Sequence, residues 1–503
     1  MTEYAPKILI ITPEVTYLPE GSSEISNSLS AKAGGLADVS AMLIKQLYEM
    51  GIDVHVAIPD YRRIFQNNLG PLSSLYYEQL QIYMEHLCDQ RIHLAQDRAF
   101  YYINNIYSPY GKENLKVALA FQREAINNII PRVRPDIIHC NDWMTGLIPG
   151  FARSIRIPSL FTIHNIHTAH TTLEDIEEHG IDGAMFWQHL YYQRLPHGYE
   201  ESRNSNPVDL LASGIFASHF VNTVSPTFLR EIVEGRHDFI KPGIRQEIIN
   251  KYHAGCAAGI LNAPDESFDP RFDPHIVKNY GIRDFVSGKR INKKALQERL
   301  GLEVREDSPL FFWPSRLDPV QKGCKILSDI LYEVVSKYWE EGLELVFVAD
   351  GAYFDVFKEI VDFHGFHSRV AVHGFDEGLS RLAFAASDFI LMPSSFEPCG
   401  LPQMISQKYG SLPVVHDTGG LHDTVEHLDW ESDTGNGFVF KYLDSQGLFW
   451  AIDRAMDFYR LPRSTKRRQI QRIMKFARER FNHKVCAEQY IRLYERMINR
   501  PLL

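Results

Sequence analysis

This chain of 503 residues predicts an α/β protein built on two open, mostly parallel sheets. Short continuous apolar runs recur along it, of the kind buried on both faces of a parallel sheet. They are Lys7–Thr12, Val54–Pro59, Asp136–Cys140, Ser159–Ile163 and Phe220–Val224, then Leu310–Trp313, Glu344–Val348, Arg369–His373, Phe389–Met392, Leu412–Val415 and Gly437–Phe440. Helical patterns separate most of these runs, which is the order of doubly wound α/β folds. The length exceeds one ordinary domain, so two or three are expected.

Composition narrows the class. Charged residues make up 23% and hydrophobic residues 45%, ordinary values for a soluble globular protein. A net charge of -10 argues against a protein that wraps nucleic acid. Six cysteines lie far apart with no CxxC pair, so reduced thiols and a cytoplasmic location are expected. The start, MTEYAPKILIITPE, lacks the charged and long apolar regions of a signal peptide. No stretch reaches the length of uncharged apolar residues that spans a membrane.

In the first half, the strand Lys7–Thr12 leads through a polar loop to Lys32 and a Gly34–Gly35 pair that opens a helix over Val39–Met50. Free N–H groups at such an opening favour an anion, and Lys32 adds a full positive charge. Val117–Ile130 reads as a helix ended by Pro131. Three later strands carry polar residues past their ends: Asp142, then His164 with Asn165, then Ser225. One such residue is usually a turn former, but three in phase point to one side of a cleft. Residues 164–207 form an irregular, His-rich segment. His164, His167 and His170 lack a supporting set of cysteine or acidic ligands, so a substrate-facing loop is the better reading than a metal site.

In the second half, the loop Ser315–Gly323 places Arg316 and Lys322 where a strand end runs into a helix. Basic residues there oppose the helix dipole, which is itself a reason to expect an anionic ligand such as a diphosphate. Phe375 follows another strand and offers a ring on which a base can stack. Phe389–Met392 then breaks at Pro393 and delivers Glu397 into a Pro-Cys-Gly turn, followed by the amphipathic stretch Gln403–Tyr409 and a Gly419–Gly420 turn. The final stretch, Asn482–Ile498, is apolar on one face and must dock on something. No Walker A sequence, dinucleotide-binding glycine fingerprint after the first strand, or nucleophile elbow is present.

Eight segments in order, KAGGLADVS, HCNDWMTGL, FTIHN, NTVSPT, GILN, SRLDPVQKG, FEPCGL and TGGLHDTV, resemble the bacterial glycogen synthase and plant starch synthase family. The resemblance covers nearly the whole chain. It implies a GT-B architecture: two Rossmann-like doubly wound domains, residues 1–257 and 258–480, facing each other across a deep cleft. Residues 481–503 would form a helix that crosses back to the first domain. It further implies a retaining glucosyltransferase that moves glucose from ADP-glucose to the non-reducing end of an α-1,4-glucan, without a metal or other cofactor. Carried over by position, Lys32 and the Gly34, Gly35 and Leu36 backbone would approach the donor. Asp142, His164 and Asn165 would line the glucose and acceptor side. Arg316 and Lys322 would hold the diphosphate, Glu397 with Cys399, Gly400 and Leu401 the donor sugar, and Phe375 the adenine. Asp38 would hold the Lys32 loop.

This chain departs from the family pattern at four places. Ile166–His170 replaces a Leu-Ala-Tyr-Gln-Gly type run, and Pro402 stands where the family usually has threonine. His416–Asp417 replaces a basic residue, and Arg316 and Lys322 stand one residue further apart than is common. These departures support an alternative: a related retaining transferase that uses another nucleotide sugar, such as UDP-glucose, or a small acceptor.

Overall fold

The computed structural model describes residues 5–19, 29–33, 35–69 and 91–502. It divides into two compact units. The first comprises Met1–Val224, Leu229–Ile260 and His483–Leu503; the second comprises Ser225–Phe228 and Leu261–Asn482. Among the described residues, no helix is long and apolar enough to cross a membrane.

The first unit is organised on a parallel sheet of β1 (Lys7–Ile11), β2 (Asp53–Pro59), β3 (Ile92–Ala95), β4 (Ile137–Asn141) and β5 (Ser159–Ile163). A small antiparallel pair, β6 (His170–Thr171) and β7 (Val208–Asp209), precedes its last members, β8 (Phe220–Thr223) and β9 (Ala257–Gly259). The spatial order is β3-β2-β1-β4-β5-β8-β9. The chain therefore winds outward from β1 in one direction, returns, and winds outward from β4 in the other. Loops leaving the C-terminal ends of β1 and β4 diverge at this reversal, where open α/β sheets leave a crevice.

The second unit repeats the plan with β10 (Leu310–Trp313), β11 (Glu344–Val348), β12 (Val370–His373), β13 (Phe389–Met392), β14 (Leu412–His416) and β15 (Phe438–Phe440), in the order β12-β11-β10-β13-β14-β15. Its reversal lies between β10 and β13. Side chains alternate faces along each strand. Phe311 and Trp313, Leu345 and Phe347, and Phe389 and Leu391 join one apolar cluster. Leu310 and Phe312, Val346 and Val348, and Ile390 and Met392 join another. Burial on both faces explains why these strands read as unbroken apolar runs. Each large side chain so buried contributes about 1.5–3 kcal/mol.

The helix His483–Ile498 belongs to the first unit. Its tyrosines meet the sheet: Tyr494 Oη lies 2.7 Å from His139 Nδ1, and Asn222 Nδ2 donates to Tyr490 Oη at 2.9 Å. The other nitrogen of His139 bonds Thr162 Oγ1 at 2.7 Å. Burial holds this imidazole neutral, its pKa lowered to about 3.

Three elements differ from the sequence reading. The helix expected to stop at Pro131 runs Gly111–Glu124, passes through a π-helical turn, Ala125–Ile129, and resumes at Ile130–Val133. Pro131 sits in the first turn of that last piece, where its missing N–H costs little. Ala257–Gly259, which carries no apolar run in the sequence, pairs with β8 as the last strand of the first sheet. Gly419–Gly420, read as a turn, opens the helix Gly419–Thr424. The tyrosine-rich piece at 75–83 lies outside the described residues.

Candidate active site

In the second unit, the two loops that flank the β10–β13 reversal are bonded together. Ser395 N donates to Gln321 O at 2.8 Å, Ser395 Oγ to Val320 O at 2.9 Å, and Gln321 Nε2 to Phe396 O at 3.3 Å. Asp318 shapes the first loop by accepting from the N–H groups of Val320 and Gln321. Gly323 adopts φ +73°, and a Cβ there would lie 2.0 Å from Pro393 O, so only glycine permits this approach. The result is one ion pair at the reversal. Lys322 Nζ donates to Glu397 Oε2 at 2.5 Å, and Ser394 Oγ donates to the same oxygen at 3.1 Å. Both side chains are largely buried. Glu397 Oε1 has no hydrogen-bond partner among the described residues, which leaves an acceptor directed by a fixed carboxylate.

Arg316, on the same loop, is exposed and makes neither side-chain hydrogen bond nor ion pair among the described residues. An exposed, uncommitted guanidinium on this loop is a ready partner for an anion. The turn after Glu397 is braced from below. Gly420 N donates to Glu397 O at 2.9 Å, and a Cβ on Gly420 would lie 1.9 Å from Cys399 O. Gln403 Nε2 donates to the carbonyls of Cys399 and Gly400, both at 3.0 Å. Leu401 caps the helix Pro402–Lys408, with Pro402 in its first turn. Phe375 stands 62% exposed after β12, its N–H held by Asp350 Oδ1 at 3.0 Å.

In the first unit, Asp142 follows β4 with φ +56°, a conformation rarely adopted by a residue with a side chain. The strain aims its carboxylate at the next strand end. Oδ1 accepts from His164 N at 2.8 Å and Asn165 N at 3.4 Å, and Oδ2 accepts from Asn165 Nδ2 at 2.8 Å. Burial raises the carboxyl pKa to about 7 despite those donors. His164 Nε2 lies 2.9 Å from Asn141 Oδ1, whose amide nitrogen is in turn spent on Ile11 O at 3.3 Å. That arrangement makes Nε2 the donor and leaves Nδ1 as the acceptor. Burial of the ring, part of which still reaches solvent, lowers its pKa to about 3, so the imidazole is neutral.

The Lys32 loop lies past β1. Lys32 Nζ pairs with Asp38 Oδ2 at 2.9 Å, and Asp38 Oδ1 accepts from Thr16 Oγ1 at 2.6 Å. The ammonium is therefore not the unopposed charge that the sequence suggests, although half of its side chain is exposed. Gly35 is exposed at the helix start, Leu36 is buried, and Gly34 lies outside the described residues. Sequence reasoning missed Glu14. Its buried carboxylate accepts from Ala33 N at 2.8 Å and from Tyr107 Oη at 2.7 Å, anchoring the loop.

The structure qualifies other predicted groupings. Ser225 stands past β8 at the sheet edge that carries Asp142 and His164, but its Oγ is spent on Asp423 Oδ2 at 2.5 Å. The three loop histidines do not gather. His164 bonds Asn141, His167 packs edge-on against Trp143, and His170 Nε2 lies 3.0 Å from Lys241 Nζ. Nor does the His416–Asp417 pair present an acidic face. His416 turns inward to donate from Nδ1 to Ser394 O at 2.8 Å, and Asp417 is engaged by His422 Nδ1 at 2.6 Å.

Two Rossmann-like halves, each with polar residues gathered at the reversal of its sheet, define the GT-B class of glycosyltransferases. Residues 7–242 match the starch synthase catalytic domain family, and residues 297–472 match glycosyl transferases group 1. A glycogen synthase of Exiguobacterium sibiricum is 33% identical over 486 residues, covering 92% of this chain and 95% of that protein. The glycogen synthase of Bacillus subtilis is 32% identical over 454 residues, covering 85% and 88%. Among solved structures, the catalytic domain of Arabidopsis thaliana starch synthase IV bound to ADP and acarbose superposes with a TM-score of 0.75 at 25% identity, over 99% of this chain and 100% of that one. The chain belongs to the glycogen synthase and starch synthase family, and it is a glycogen/starch synthase-like glucosyltransferase.

Proposed function

We propose that the protein transfers glucose from ADP-glucose to the non-reducing end of an α-1,4-glucan with retention of configuration and without a metal. The observation that carries this reading is the Lys322–Glu397 pair, with exposed Arg316 on the same loop, at the reversal of the second sheet. Cleaving a glycosyl–phosphate bond builds negative charge on the departing diphosphate and positive charge on the sugar ring. Arg316 and Lys322 answer the first. Glu397, already fixed by Lys322 and Ser394, offers Oε1 to a sugar hydroxyl, and the backbone of Cys399, Gly400 and Leu401 borders the same sugar. Phe375 supplies an exposed ring for the adenine. A cytoplasmic location belongs to the same proposal and is supported by the six scattered cysteines with no CxxC pair.

The acceptor is assigned to neutral groups of the first unit. His164 Nδ1 accepts a hydroxyl proton, and Asn165 extends the polar edge. Asp142 is a positioning residue, because both of its oxygens are spent on the His164–Asn165 backbone and amide. Lys32, paired with Asp38, is assigned to the donor together with Gly34, Gly35 and Leu36. The similar starch synthase IV domain was solved bound to ADP and acarbose, which supports both the nucleotide and the glucan class. Pro402, which removes one N–H from a helix start, favours comparing donors directly. Radiolabelled ADP-glucose and UDP-glucose, each offered with glycogen, make that comparison. Incorporation from ADP-glucose at least tenfold above UDP-glucose is expected, and the reverse preference overturns the donor assignment.

A further inference from the structure

A second concavity opens at the edge of the second unit, past the end of β15. It has a volume of about 830 Å³ and is bounded by Val425–His427, Phe440–Asp444 and the first turns of the helix Ser445–Arg460. Two large aromatic side chains stand open to solvent there, Tyr442 at 77% and Trp450 at 46% exposure. The Trp450 indole lies nearly parallel to the His427 ring, with centroids 5.5 Å apart at 22°. A neighbouring depression of about 490 Å³ shares Gln446 and Trp450 as walls, so Trp450 stands as a rib between two adjoining hollows.

We infer that this edge is a docking site for a linear α-glucan, distinct from the residues assigned to the transfer chemistry. The inference rests on the acceptor reading above. Pyranose rings present C–H faces that pack on aromatic surfaces and hydroxyl edges that need planar hydrogen-bonding partners. The site offers both. Glu426, Lys441 and Gln446 make no side-chain hydrogen bonds or ion pairs among the described residues and line the cavity with Trp450. Charge does not favour anions: Asp417 is already paired with His422, and of the remaining charged lining Glu426 and Asp444 outnumber Lys441. A nucleotide or polyphosphate is disfavoured, and a neutral polyol is not. Two hollows separated by one aromatic rib suit a chain that runs past Trp450 better than one isolated sugar. The platform is also pre-organised, because Asp444 caps its helix by accepting from Gly447 N at 2.7 Å.

Affinity electrophoresis of the full chain through gels containing glycogen tests this site, with transfer to maltotriose measured alongside. The Trp450→Ala and Tyr442→Ala proteins are expected to lose at least fivefold in glycogen retardation. Their KM for glycogen should rise by a similar factor, while kcat/KM for maltotriose and the melting temperature stay as in the wild type. Both side chains are exposed, so either variant alone provides a folded test. Retardation unchanged in both variants overturns the docking site. A wild-type protein that extends maltotriose but is not retarded by glycogen overturns it too, and leaves the transferase reading standing. A wild-type protein retarded through Trp450 that transfers no glucose to any glucan overturns the transferase reading and leaves the docking site standing.

Discussion

At the residue scale, the Lys322–Glu397 pair is both a structural contact and the proposed donor site, and the two roles separate under mutation. Glu397→Gln keeps the shape and a hydrogen-bond acceptor but removes the charge; kcat should fall on the order of 10²–10³, the effect of removing one preorganised electrostatic group. Lys322→Ala leaves a buried carboxylate without its cation, a loss of about 3–5 kcal/mol for a buried pair, so this variant should also unfold at lower denaturant. Steady-state kinetics and urea titration of both proteins check the distinction. Asp142 makes a pH prediction. Only the ionised carboxylate accepts all three donors from His164 and Asn165, and its pKa is raised to about 7. Activity should therefore rise with pH through about 7, and a kcat/KM profile that is flat between pH 6 and 8 contradicts it.

At the element scale, the strands were legible because burial on both faces demands unbroken apolar runs, and Ser159–Ile163 and Phe389–Met392 match the expected bounds. Ala257–Gly259 carries no such run and was not legible as a strand. Residues at strand ends, Asp142, His164 and Glu397, were visible as polar residues following apolar ones. Their partners were less so. Glu14 acts through Ala33 and Tyr107, 19 and 93 residues away, and nothing local marks it. His416 looked like a lost basic contact because its sequence position does not reveal that the ring turns to Ser394 O. The Gly-Gly pair was legible as a break, but its purpose appears only in three dimensions, where it lets a helix start approach the Glu397–Cys399 backbone. Gly420→Ala should force that backbone apart and destabilise by about 1–3 kcal/mol, the range for overpacking, with a lower melting temperature and lost activity. An alanine protein with unchanged melting temperature contradicts this role.

At the scale of the whole molecule, buried histidines set the acid limit of stability. Burial lowers the pKa values of His93, His139 and His164 to about 3, against 6.5 for the free side chain. Below pH 6.5 the unfolded chain binds protons that these sites refuse, so stability is lost as pH falls from 6.5 toward 3. The slope approaches about 1.4 kcal/mol per pH unit for each histidine in that window. Asp142 and Glu344 oppose this, since a raised carboxyl pKa makes the folded state bind the extra proton, from pH 3.8 and 4.5 respectively up to about 7. Three histidines against two carboxyls leave a smaller net loss in acid. Urea midpoints measured from pH 7.5 to 4.5 should fall, and His139→Gln should flatten the slope.

The glucosyl transfer itself is read most directly by NMR of maltotriose extended with ADP-glucose labelled with carbon-13 at the anomeric position. The predicted result is a labelled α-1,4 linkage at the non-reducing end, formed by the wild type and nearly absent with Glu397→Gln. A labelled β linkage, or label that never leaves ADP-glucose for the glucan, would contradict the account.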